Sequence, residues 1–135
     1  MSDIDKSYRW SSYPVEKTQS GLLITAIVGG IKLKLLLDTA TSHSMVFADR
    51  LPSDTLFSGC KKIEPEASDQ DCRVTTFSLK DNQGTSRNEF AIVISGNIPK
   101  GLDFDGILGL NVIRDHLVII DIPGGIFSLS DQQGR

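Results

Sequence analysis

Residues Leu35 to Val46 read LLLDTATSHSMV. Three leucines run into one aspartate, Asp38, which is followed by the small residues Thr39, Ala40, Thr41 and Ser42. A leucine-rich strand belongs in the core, so a carboxylate at its end is being carried to the edge of that core. In a partly dry site such a group works as a general acid or base. The same string also suits a strand-to-turn transition, because Asp, Ser and Thr side chains bond nearby backbone N–H groups. Composition alone leaves both accounts open.

The flanks set the fold class. Leu22 to Val28 and Ile31 to Leu37 are apolar, β-branched-rich runs joined by Gly29-Gly30, whose glycines supply the positive φ of a two-residue hairpin turn. Ile31, Leu33, Leu35 and Leu37 alternate with Lys32 and Lys34, giving the strand one wet face. Leu36 breaks the alternation and predicts burial on both sides near Asp38. Met45 to Phe47, Val74 to Leu79 and Phe90 to Ser95 predict further strands, with a turn at Asp81-Asn82-Gln83-Gly84. Leu110 to His116 predicts a short helix, and Leu117 to Ile122 with Ile126 to Ser130 a last hairpin around Pro123-Gly124-Gly125. Short strands, glycine turns and one short helix predict an all-β, closed or partly open barrel. Residues 1–20, polar apart from a few aromatics and Val15, predict an N-terminal arm or linker, with the barrel over 21–135.

Length and charge narrow the partners. At 135 residues the chain suits one domain with one core. A net charge of -3, with no basic run longer than Lys61-Lys62, argues against a nucleic-acid groove. No stretch approaches the ~18 to 20 apolar residues of a membrane span, and MSDIDKSYRW lacks the apolar core of a signal peptide. His43 and His116 have no partner at metal-ligand spacing, and two cysteines, Cys60 and Cys72, cannot alone build a zinc site. They suit either a disulfide or two free thiols, and no metal or cofactor is expected.

Two motifs together carry a resemblance. LLLDTATSHSMV resembles the active-site segment of the pepsin and retropepsin superfamily of aspartic proteases: apolar residues, Asp, Thr or Ser, Gly, then small and polar positions. FDGILGL, Phe104 to Leu110, resembles the apolar-apolar-Gly motif found late in each lobe of that family, and the final hairpin is similar to that of bacterial and retroviral single-lobe members. The similarity runs from about residue 21 to 130. It implies a retropepsin-like barrel in which Asp38 is catalytic, Thr39 clasps a partner chain, and Thr41 and Ser42 bond locally around the carboxylate. Ile107, Leu108 and Gly109 are then packing beneath the site, and the rival carboxylate Asp105, before Gly106, is a turn residue. Such enzymes use two carboxylates sharing one proton, since two at close range do not both ionise cheaply. One lobe supplies one, so the resemblance implies a homodimer through the terminal strands, acting on a polypeptide substrate.

The chain departs from that family at two places. Ala40 stands where glycine is usual, and its methyl threatens the approach of substrate and paired carboxylates. The alternative function is therefore a weak or inactive retropepsin-like module that binds peptides or supports assembly. The substrate-covering hairpin falls either at Cys60 to Phe77, whose acidic stretch Glu64 to Asp71 lacks glycine, or at Asn82-Gln83-Gly84. If Cys60 and Cys72 lie across the base of the first, a disulfide staples it by ~2 to 3 kcal/mol, which would suit a periplasmic or other extracytoplasmic compartment.

Overall fold

The computed structural model describes residues 8–66, 72–96 and 98–131. The first hairpin forms with the expected bounds, β2 (Leu22–Val28) against β3 (Ile31–Leu37), after a first strand β1 (Trp10–Lys17). Gly29 and Gly30 take φ of 55° and 83°, a conformation that side chains with a Cβ resist. β4 (Met45–Phe47) leads through a 3-10 turn (Ala48–Arg50) to β5 (Ser58–Gly59) and a second 3-10 turn (Cys60–Lys62). β6 (Arg73–Lys80), β7 (Ser86–Ile94) and β8 (Gly106–Leu108) follow, then helix α1 (Leu110–Ile113) and the hairpin of β9 (Val118–Asp121) and β10 (Ile126–Ser130).

Six strands close into a barrel in the order β2-β3-β8-β4-β7-β6, and the ring is sealed where Ile27 of β2 pairs with Ser78 of β6. The alternating residues of these strands fill it: Ile24, Ala26, Leu33, Leu35, Val46, Phe77, Leu79, Ala91 and Leu108 are all buried. Truncating Phe77, a large fully buried side chain, is expected to cost about 3 to 5 kcal/mol. β1, β10 and β9 continue the sheet outside the ring.

The order contains one feature that decides where the site lies. β8 sits between β3 and β4, parallel to β3 and antiparallel to β4. The loop that joins β3 to β4 therefore crosses over the end of β8 instead of making a hairpin.

Several expectations are corrected. Residues 1–20 are not an arm throughout: β1 pairs with β10 through Trp10 to Pro14 and with β2 through Val15 to Lys17. Tyr13 is buried against Phe127, with ring centroids 6.2 Å apart, so one aromatic anchors a strand whose other residues are mostly polar. Leu36 is half-buried, not sealed on both sides. β7 begins at Ser86 because its outer residues alternate between exposed and half-covered positions along β6, a pattern too polar to stand out in sequence. The helix is one turn, Leu110 to Ile113, since the exposed Arg114 and Asp115 turn the chain into β9.

Candidate active site

Asp38 leaves β3 with its N–H donating to Leu108 O at 3.0 Å, so its backbone is still part of the β3–β8 pairing. Its carboxylate is held from both sides by the turn that follows. Oδ1 accepts Ala40 N–H at 2.9 Å, and Oδ2 accepts the Thr41 hydroxyl at 2.8 Å. A carboxylate has about four acceptor positions, so two bonds fix its plane and, among the described residues, leave one position on each oxygen open. Asp38 is half-buried, while Thr39 and Ala40 beside it are exposed. No residue other than glycine has positive φ among the described residues. Ala40 therefore sits in a backbone conformation that does not require glycine.

Beneath the loop, the glycines of Gly106-Ile107-Leu108-Gly109 are dictated by close approach. A Cβ on Gly109 would meet His43 C and O at 2.7 Å and Thr41 O at 2.8 Å. One on Gly106 would collide with Met45 O. The loop thus lies directly on the backbone of the late motif, which is why apolar bulk there must stop at Leu108, itself fully buried. Leu110 N–H and Asn111 N–H, free donors at the start of α1, bond to Thr41 O at 2.8 Å and Ser42 O at 3.1 Å.

Two residues of this network are invisible to sequence reasoning. Ser44 is buried and bonds to Asn111 through both its N–H and its hydroxyl, and its oxygen accepts Gly109 N–H at 2.9 Å. A lone serine and a lone asparagine separated by 67 positions leave no local signal. Ser42 is exposed and contributes its carbonyl, not its hydroxyl, to the bonds described.

In sequence comparison no family model matches the chain, and no curated protein sequence is detectably similar to it. Among solved structures the chain is similar to a retropepsin-like aspartic protease from Rickettsia conorii, at 15% identity and a TM-score of 0.46 over 91% of this chain and 93% of that one. It is also similar to the retroviral protease-like domain of Ddi1 from Leishmania major, at 15% identity and a TM-score of 0.46 over 75% and 81% of the two chains.

The other candidate residues fall around this centre. Asp105 at the start of β8 accepts Lys34 N–H on Oδ2 at 2.8 Å and Arg50 Nη1 on Oδ1 at 2.9 Å, while its own backbone bonds Lys34 O and Phe47 N–H. It is a structural clamp on β3, β4 and β8, more buried than a solvated turn residue. Cys60 and Cys72 are joined in a disulfide, with Cα atoms 5.5 Å apart, across the short β5–β6 pairing. The tip of that hairpin, 67–71, lies outside the described residues. Its first arm touches the carboxylate loop, since Glu64 Oε1 is 2.9 Å from His43 Nε2. The rival turn at Asn82 lies instead against β1, donating to Ser12 O. His116 bonds Ser130 O and faces Arg87. Among the described residues no group of His, Cys, Asp and Glu is placed to hold a metal ion, and no helix is long and apolar enough to cross a membrane.

Two cavities adjoin these elements. One of about 330 Å³ borders the loop at His43 and is lined by Ile63, Glu64, Phe90, Asn111 and Arg114. A larger one, about 520 Å³, lies among Tyr13, Arg87, Glu89 and His116, and no residue from 38 to 44 lines it.

Proposed function

We propose that the chain is one half of a homodimeric, retropepsin-like aspartic endopeptidase, with Asp38 of each copy as its catalytic carboxylate. The observation that carries this reading is the Asp38 carboxylate itself. It stands at the exposed crossing of a buried strand, oriented by Ala40 N–H and Thr41 Oγ–H, with a free acceptor position on each oxygen. Across a twofold axis the two carboxylates would share one proton. The ionised one takes a proton from a water as its oxygen attacks the peptide carbonyl. The protonated one donates to the carbonyl oxygen, and the tetrahedral diol collapses as a proton passes to the leaving nitrogen.

A second copy has a natural docking surface. β9 is paired with β10 on one side, and each of its residues is exposed. Leu117, Val118, Ile119, Ile120 and Ile122 form an aliphatic run on a strand edge, a combination that proteins otherwise cover or charge. Strand pairing about a twofold axis covers both the edge and its faces. Thr39, exposed beside the carboxylate, would bond the partner's loop.

The test is hydrolysis of unfolded casein and a peptide library from pH ~3 to 7, with and without pepstatin, beside Asp38→Asn. Loss of about three orders of magnitude in Asp38→Asn is expected; cleavage that persists in it removes the mechanism. Ala40, exposed beside the carboxylate where glycine is usual in the family resembled, favours a second reading, a peptide-binding module without turnover. Ala40→Gly should raise activity in a crowded protease and leave a scaffold unchanged.

A further inference from the structure

We propose that Asn111 is the positioning residue for the Asp38 carboxylate, acting through Ser44; the role rests on the protease reading, and its structural part can be tested without turnover. Asn111 Oδ1 accepts two bonds from a single residue, Ser44 N–H at 2.7 Å and Ser44 Oγ–H at 2.8 Å. Its Nδ2 donates to Phe90 O on β7 at 3.0 Å. The partners fix the orientation of the amide, because Phe90 O can only accept and Ser44 N–H can only donate. No other side chain of this size and shape offers both functions. Aspartate would set an acceptor against Phe90 O, and leucine would leave the buried Ser44 groups without their partner.

The path from Asn111 to the carboxylate is short. Ser44 Oγ also takes Gly109 N–H, so the end of the loop is tied to the late motif and to α1 at one point. Thr41 O and Ser42 O are held by the N–H groups of Leu110 and of Asn111 itself. That pins the backbone carrying the Thr41 hydroxyl, which in turn holds Asp38 Oδ2. Asn111 also joins this loop to β7, whose Ile92 N–H bonds Ser44 O at 2.9 Å. A carboxylate that must meet its copy across a twofold axis depends on such a frame, because a displacement of ~1 Å at a reacting group costs about 100-fold in rate.

The experiment compares Asn111→Ala and Ser44→Ala with the unchanged protein as full-length chains. Readouts are kcat and KM separately, the Ala40 amide proton and the Asp38 side-chain carboxyl carbon by NMR, and thermal melting. Expected is a folded protein with KM within about twofold, kcat lower by about 100-fold, and both NMR signals moved. Ser44→Thr, which keeps the hydroxyl, should restore them. If Asn111→Ala does not fold, Ser44→Ala decides alone, since it removes one hydroxyl and keeps the Ser44 N–H bond. Unmoved Ala40 and Asp38 signals in a folded variant, or a kcat unchanged beside a raised KM, would overturn the proposal. If the unchanged protein cleaves nothing, the protease reading fails, while the two NMR signals still decide whether Asn111 positions the carboxylate.

Discussion

The carboxylate loop and strand β9 both lie at the surface, yet they complete their bonding in opposite ways. From Asp38 to Ser44 the loop is tied to Leu108, Gly109, Leu110 and Asn111, and even its aspartate is bonded within the same turn. β9 has β10 on one side and solvent over its aliphatic side chains, with Ile119 at 42% and Ile120 at 38% exposure. The geometry around the carboxylate is built inside one chain, whereas β9 keeps its aliphatic surface exposed. For the proposed homodimer this division means that each half would arrive already shaped, and that assembly would add burial and bring the two carboxylates together.

Four changes break or sharpen that contrast. The largest effect is expected from Gly109→Ala, whose methyl would strike backbone atoms of His43 and Thr41 rather than a movable side chain. Destabilisation of about 3 kcal/mol by chemical denaturation and complete loss of any activity are expected, because the clash is with main-chain atoms of the carboxylate loop. Next is reduction of the Cys60–Cys72 bond, which closes a loop across 12 positions. A loss of about 2 to 3 kcal/mol is expected, read from melting with and without reductant. Smaller again is Ile120→Lys on β9. The isolated chain should change by less than ~0.5 kcal/mol, while the proposed dimer should weaken by about 10-fold or more in sedimentation. A Gly109→Ala chain that is as stable as its parent, or an Ile120→Lys dimer of parental strength, would erase the distinction between the two regions.

The smallest effect concerns Tyr13, which ties the outer sheet to the core. Burial raises the pKa of its phenol, with nearby Arg87 acting in the opposite direction. A folded value above the unfolded one means the contribution is whole below the unfolded pKa of ~10 and is lost as pH rises through the folded value. Tyr13→Phe should flatten that alkaline limb of a stability-versus-pH curve and cost at most about 1 kcal/mol near neutrality.

The sequence displayed the barrel wherever one face of a strand is dry. β2 and β3 alternate or run apolar, and two glycines punctuate them, so their bounds were readable to the residue. β1 was not, because its place in the sheet depends on one buried tyrosine among Ser11, Ser12, Pro14, Glu16 and Lys17. At the site, Asp38 and the glycine below it were legible because both interrupt apolar runs. Ser44 and Asn111 were hidden because a buried hydrogen-bond pair is defined by its partner, which lies far along the chain. Asp105 showed the converse. Its turn-like setting was visible, but its bond to Arg50 required the fold to bring β8 beside β4.

The outer sheet also fixes where the described chain enters and leaves. Trp10 faces Ser130 across the β1–β10 pairing, and Asp131 N–H bonds Arg9 O at 2.8 Å, so the two strands part at one corner, away from the ring. Any longer polypeptide could hold this unit as an insertion at that corner, since the span to be bridged is the width of one strand pair and adds almost nothing to the host's loop-closure entropy.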